Sequence, residues 1–230
     1  MTIHKIDYSK KDPKRANVIN YSCNFNCKWC LYKIKTKPKS NYMEVNEIKH
    51  ILNTMEINGV NFLGGEITTH PDLEELTYFT HEVLGVHTKI GHTNGYISPP
   101  KYIDEIVMSI KMFSDELHRK YTGKSNKPIL KNFKNTHDKG IRIKASTLYI
   151  PDLVDSEEIE KIAKFIGDID PEIRLHITGY IKIPGTPWRI PTYDEMINAK
   201  KLAENYLKNV DFSLYCSTND YENKFSKNIV

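Results

Sequence analysis

Ala16-Asn17-Val18-Ile19-Asn20-Tyr21-Ser22-Cys23-Asn24-Phe25-Asn26-Cys27-Lys28-Trp29-Cys30 decides how the chain folds. The apolar run over 16–22 suggests a strand. Directly after it, three cysteines fall within eight residues of loop. Thiolates are soft ligands that suit zinc or an iron–sulfur cluster. A secreted disulfide scaffold would be shorter and would spread its cysteines, so a metal site is the expectation. Three thiolates leave one iron of a cubane cluster open to a substrate or cofactor. The bland alternative is a structural zinc, with Cys216 or a nearby histidine as fourth ligand. That alternative describes a zinc-stabilised interaction protein rather than an enzyme.

Outward from this loop the pattern alternates. Short apolar runs predict strands at 16–22, 60–62, 88–93, 105–111, 141–149, 173–178 and 210–216. Helical spacing predicts helices between them. Residues 45–57 carry Ile48, Ile51, Leu52 and Met55 on one face. Residues 73–84 follow Pro71 and Asp72 and have acidic residues in the first turn. Residues 155–166 open Asp-Ser-Glu-Glu, then give Ile159, Ile162, Ala163 and Ile166. Residues 192–207 open with Thr192 and place Glu195 three later, a capping box. The proline-containing stretches at 98–100 and 183–187 read as loops.

Strands alternating with helices mean βα units on a parallel sheet. Six or seven units fit in 230 residues. A closed eight-stranded barrel takes about 250 residues. The expected fold is therefore α/β, an open, partial (β/α)6 barrel in one domain over 1–230, with its core at about 16–216. A doubly wound sheet is the other arrangement the pattern allows. Arg142, Lys144 and Ser146 share one strand face, as do Ser109 and Lys111, and His176 and Thr178. Strands covered on both faces usually read as continuous apolar runs. The polar faces here predict a polar barrel interior.

Composition bounds the setting. The chain is 39% hydrophobic and 27% charged, which suits one folded core. No apolar run approaches the roughly 20 residues of a membrane span. The opening residues lack the apolar h-region of a secretory signal. A soluble cytoplasmic protein is expected. The formal charge is +4, with basic residues bunched at Lys5, Lys10, Lys11, Lys14 and Arg15, and at Lys28, Lys33, Lys35, Lys37 and Lys39. Such bunches are solvated loops or surfaces that meet phosphates or acidic proteins. A nucleic-acid partner is not expected, because no RNA-reading module is visible.

Cys23-x3-Cys27-x2-Cys30, with Trp29 before the last cysteine, resembles the radical S-adenosylmethionine (SAM) signature. The resemblance implies a [4Fe–4S] cluster on these three cysteines and SAM on its fourth iron. It implies reductive cleavage of SAM to a 5′-deoxyadenosyl radical that abstracts hydrogen. Phe62-Leu63-Gly64-Gly65-Glu66 resembles the family's Gly-Gly-Glu motif near the methionine amino group, with Ile67 where proline is usual. Glycines permit close approach to backbone, and Glu66 could accept hydrogen bonds from an ammonium group. Thr93-Asn94-Gly95 resembles a turn that many members place near SAM.

The resemblance extends to the glycyl-radical-enzyme activating enzymes, of which pyruvate formate-lyase activating enzyme is typical. Ser109-Ile110-Lys111-Met112-Phe113 and the stretch from Asp115 to Gly123 carry it. Lys111 matches their Asp-x-Lys, while Ser109 stands in the acidic position. Ile150-Pro151-Asp152 resembles their Ile-Pro-Gly. His176-Ile177-Thr178 resembles a His-x-Thr-Arg motif, with Gly179 for the arginine. The resemblance thus implies Lys111 and His176 as catalytic residues. Gly64, Gly65, Glu66, Asn94, Ser109 and Ser146 become candidate SAM contacts. It also implies flavodoxin or ferredoxin as electron donor and a glycyl radical enzyme as substrate. The runner-up substrate is a small-molecule metabolite or cofactor precursor. A second cysteine cluster is absent from the sequence, which disfavours chemistry needing an auxiliary cluster.

Overall fold

The computed structural model describes residues 2–9, 14–31 and 42–215. Cys216 and the lysines at 10, 11, 33, 35, 37 and 39 lie outside the described residues.

Eight strands form one sheet in sequence order. They are β1 (Ile3–Ser9), β2 (Arg15–Asn20), β3 (Gly59–Gly64), β4 (His87–Thr93), β5 (Glu105–Ser109), β6 (Arg142–Tyr149), β7 (Leu175–Gly179) and β8 (Val210–Ser213). β1 pairs antiparallel with β2, and every later neighbour pair is parallel. The helices are α1 (Val45–Thr54), α2 (Leu73–Tyr78), α3 (Asp115–Thr122), α4 (Lys127–Asp138), α5 (Ser156–Gly167) and α6 (Tyr193–Ala203). The sheet is open: β1 and β8 are its two edges. This is the alternating α/β, partial-barrel architecture that the sequence pattern predicts.

The strands are two-faced. Ala16, Val18, Val60, Phe62, Ile90, Ile106, Met108, Ala145 and Ile177 are buried in one apolar core with Ile48, Leu52, Leu76, Phe133, Ile159, Ile162 and Met196 of the helices. The opposite face is polar. On it Glu105 meets Lys89 at 2.5 Å and Lys144 at 2.9 Å, with Arg142 at 4.0 Å. Arg174 and His176 both meet Asp211.

All seven expected strands are present. β1 was not anticipated: Lys5 and Asp7 break its apolar run, as suits an edge strand. The expected helix over 73–84 is α2 followed by a π-helical turn at Phe79–Val83. There the Leu84 N–H donates to the Phe79 carbonyl at 2.9 Å, five residues back. The buried Thr80 hydroxyl contacts both the Thr77 carbonyl and Thr88 of β4, anchoring this turn to the sheet. α1 and α6 stop a few residues short of their expected ends. The Thr192–Glu195 capping box is formed, and Asp155 caps α5 by accepting from Glu157 and Glu158 N–H. α3 and α4 are additional, and they matter for the site.

Two positions give tests. Burial alone would push the Glu105 carboxyl up, but Lys89 and Lys144 outweigh it and hold it at about 2, against an ordinary 4.5. A depressed carboxyl contributes stability above its unfolded value that is lost as pH falls from 4.5 through about 2. Glu105→Gln should cost about 1–3 kcal/mol in urea unfolding at pH 7. The gap to wild type should shrink at pH 3; an unchanged gap would refute the ion-pair account. The second position is Asp152, the only non-glycine among the described residues with positive φ, at 64°. It sits in a turn closed by bonds between Ile150 and Val154. Left-handed backbone costs an L-residue about 1 kcal/mol, so Asp152→Gly should raise the melting temperature.

Candidate functional site

The cysteine loop leaves the C-terminal end of β2, the end where barrel enzymes build their sites. Three anchors hold it. At its entrance the buried Asn20 donates from Nδ2 to the carbonyls of Ser22 (2.9 Å) and Glu66 (2.8 Å). The N–H groups of Gly65 and Glu66 donate back to Asn20 and Ser22 at 2.8 and 2.7 Å. In the middle, Asn94 donates from Nδ2 to Asn24 Oδ1 at 2.8 Å. On the far side, the end of α3 accepts: Asn26 N–H to Thr122 O at 2.9 Å, and Lys28 N–H to Tyr121 O at 3.1 Å.

This stitching explains Gly64 and Gly65. A Cβ on Gly64 would lie 2.0 Å from the Asn20 carbonyl oxygen, and its φ is +123°. One on Gly65 would lie 2.5 Å from the Ser22 oxygen. The close approach is made by the neighbouring strand's own backbone. Glu66 is likewise engaged internally. Its Oε1 accepts from Thr68 N (3.1 Å), Thr68 Oγ1 (2.7 Å) and Thr93 Oγ1 (2.7 Å), and Oε2 from Asn94 N (2.5 Å). It is 1% exposed. The anticipated free acceptor for an ammonium group is therefore a buried cross-link between β3 and β4.

α3 reaches the loop because its own start is fixed. The buried Glu158 of α5 accepts from Phe113 N (2.7 Å) and Ser114 N (3.0 Å). Asp115 accepts from Ser125 Oγ (2.6 Å) and Asn126 N (2.8 Å), closing the α3–α4 turn. Its carboxyl is held well below the ordinary range, chiefly by the Ser125 and Arg119 bonds.

Beneath the loop lies a cavity of about 330 Å³. Cys23, Cys27, Cys30, Gly64, Gly65, Glu66, Asn94, Ser109, Lys111, Ser146 and His176 all line it. The three candidate cluster ligands, the candidate SAM contacts and the two candidate catalytic residues thus meet at one place, while Cys216, the alternative zinc ligand, lies outside the described residues. Ser109 and Ser146 share a hydrogen bond of 2.6 Å. His176 has partners at both ring nitrogens, Asp211 Oδ1 at 2.9 Å and Ser213 Oγ at 3.0 Å. Lys111 makes no ion pair with the described residues.

His92 also lines the cavity, and sequence reasoning passed over it. A regular strand would put it on the face of Ile90, toward the helices. The register of β4 against β5 shifts between Ile90 and Thr93, and His92 enters the lumen. Its ring is open to the cavity space but walled in around it. Desolvation, then the charges of Lys111, Lys89 and His176, push it down to about 4. It is a neutral imidazole at pH 7.

Cys23, Cys27 and Cys30 form no disulfide among the described residues. Cys23 accepts from Phe25 N–H at 3.4 Å. Burial pushes its thiol up, and Glu66 and Cys30 add to this. Among the described residues no three His, Cys, Asp or Glu side chains converge to hold one metal ion. A cluster distributes its thiolates over separate irons. Three thiols on one loop, facing one cavity, fit the donor chemistry of a cluster. Phe25 and the buried Trp29 flank them. Phe25 packs against Tyr96 and His118, and Trp29 against Tyr121 and Trp188.

No helix among the described residues is long and apolar enough to cross a membrane. The family model described as the radical SAM superfamily matches residues 17–166. A Methanocaldococcus jannaschii protein provisionally named a glycyl-radical enzyme activating enzyme is 32% identical over 240 residues, covering 100% of this chain and 89% of its own. The pyruvate formate-lyase-activating enzyme of Staphylococcus epidermidis is 27% identical over 196 residues, covering 76% and 78%. Among solved structures, Streptococcus suis SuiB bound to the precursor peptide SuiA superposes with a TM-score of 0.66 at 19% identity. That match covers 89% of this chain and 49% of SuiB, so the chain spans about half of that protein. A fold of this kind, a cysteine loop at the mouth of its barrel and a family match over most of the chain lead to one conclusion: the chain belongs to the radical SAM superfamily.

Proposed function

We propose that Cys23, Cys27 and Cys30 hold a [4Fe–4S] cluster, that the adjoining cavity binds SAM, and that the hydrogen removed is a glycine Cα–H on a partner enzyme. The observation that carries this reading is that the three thiols share one cavity with Gly64–Glu66, Asn94, Ser109, Lys111, Ser146 and His176. The relatives named as glycyl-radical activating enzymes supply the substrate class. When bound, the cluster and SAM supply a 5′-deoxyadenosyl radical from one electron and the cleaved sulfonium.

The chain's own residues orient and enclose. Lys111, without an ion pair among the described residues, offers its ammonium to an anionic group of the ligand. The Ser109–Ser146 pair and the neutral His92 offer hydrogen bonds along the lumen. His176, its ring held by Asp211 and Ser213, orients the ligand at the cavity wall. The Gly64–Glu66 segment holds the cysteine loop against β4. Trp29 and Phe25 put apolar surface beside the thiols, which lowers the dielectric on that side of a bound cluster. A ferredoxin or flavodoxin fits as one-electron donor.

A second reading follows from Lys111. A cation without an anionic partner among the described residues, lining the cavity, also suits a phosphorylated metabolite as the substrate.

Anaerobic reconstitution with iron and sulfide tests the reading. Dithionite-reduced protein should convert SAM to 5′-deoxyadenosine, and Cys27→Ala should abolish both the cluster absorbance and the product. Tight zinc binding without cluster formation would overturn the assignment. Deuterium carried into 5′-deoxyadenosine from a glycine-labelled partner enzyme would support the activating role; label arriving only from a phosphorylated metabolite would favour the second reading.

A further inference from the structure

Outside the cavity, the cysteine loop carries a second feature that the proposed chemistry does not use. Lys28, Lys120 and Lys124 are exposed, and none has an ion pair with the described residues. Each rests on an aromatic ring. Lys28 Nζ lies 5.0 Å and Lys120 Nζ 5.3 Å from the centre of Tyr121. Lys124 Nζ lies 5.8 Å from the centre of Tyr96. Lys127 and Lys131 continue the charge beside Tyr96. From 115 to 131 there are five lysines and arginines against two acidic residues, and one of those acids, Asp115, is bound to Arg119.

The two tyrosines back directly onto the loop. Tyr121 is 6.3 Å from Trp29 and Tyr96 is 5.6 Å from Phe25, centre to centre. Phe25 and Trp29 line the cavity, whereas Tyr96, Tyr121 and the three lysines do not. Phe25 and Trp29 therefore form a partition, with the thiols and cavity on one side and, on the other, a cationic surface whose three lysines have no ion pair among the described residues. Exposed cation–π contacts are worth only about 0.5–1 kcal/mol, so folding gives little reason to gather like charges here. Uncompensated surface charge of one sign instead steers an oppositely charged partner.

We infer that this surface, around Tyr121 and Tyr96, is where an acidic one-electron carrier protein docks to reduce the cluster. The inference rests on the proposed cluster. The carrier loses one electron and the cluster gains one; no bond forms or breaks. The route in is short, because Lys28 is the chain neighbour of Cys27 and its N–H is bonded to Tyr121. A nucleic acid suits the surface less well. The two rings are covered by lysines and packed against Phe25 and Trp29, so they are not free to stack on bases. A substrate that loses hydrogen must reach the cavity side of the partition instead.

The experiment uses the reconstituted full-length enzyme and follows cluster bleaching by stopped flow. The reductants are a reduced flavodoxin of net negative charge and reduced methyl viologen, a small cation. The variants are Lys120→Glu, Lys124→Glu and the pair together, each checked for unchanged cluster content and melting temperature. Flavodoxin should reduce the double variant about tenfold or more slowly, and its rate with wild type should fall steeply with salt. Methyl viologen rates should not fall. Equal flavodoxin rates in wild type and variant would overturn the docking surface, as would equal slowing with both reductants. Loss of polynucleotide binding in the variants with flavodoxin rates intact would reassign the surface to nucleic acid. If dithionite supports SAM cleavage while the charge reversals change nothing, only this inference fails. If wild type assembles no cluster, the proposed function fails and takes this inference with it.

Discussion

The buried carboxylate of Glu66 is the constraint on which the site depends. A carboxylate taken out of water is costly unless its lone pairs are matched. Here four donors match them, from Thr68, Thr93 and Asn94. Satisfying Glu66 fixes the end of β3 against the end of β4. Asn94, once placed by Glu66, reaches Asn24 in the cysteine loop. Asn20 completes the circuit by binding the carbonyls of Ser22 and Glu66. The Cys23–Cys30 loop is thus held through the buried side chains of Asn20, Glu66 and Asn94, which favours one arrangement over many.

The rest of the barrel serves the same division. One face of each strand is apolar and packs on the helices; the other carries charge and hydroxyls. At the base, Glu105 binds Lys89 and Lys144. Nearer the cavity the contacts are neutral or half-filled: Ser109 with Ser146, His92 neutral, Lys111 without an ion pair among the described residues. Glu66 and the His176–Asp211 contact are the fold-holding charges that also reach the cavity.

The sequence made much of this legible. Period-two alternation revealed Ser109, Ser146 and His176 as interior residues, because those strands keep their register. The three cysteines were visible from spacing alone. What escaped had physical reasons. His92 was hidden because β4 shifts register after Ile90. α3 has a sparse apolar pattern, with only His118 and Thr122 buried. α4 has Pro128 in its first turn and a buried face of Ile129, Asn132, Phe133 and Thr136, half of it polar. The two glycines were read as room for a ligand, and only the positions of the Asn20 and Ser22 carbonyls show that protein backbone fills that room. Likewise, Glu66 looks available in sequence because its donors lie up to 28 residues away.

The unclosed sheet has a mechanical consequence. In a closed barrel, strand number and shear together fix the radius, and widening the ring means breaking ladder hydrogen bonds. β1 and β8 share no such ladder here. The wall can therefore curl or uncurl through small changes of twist between neighbouring strands, spread over the whole sheet. Girth becomes a soft coordinate while each strand's register stays hard. A barrel built this way can change its aperture for a bulky guest without disturbing the side-chain order that lines it.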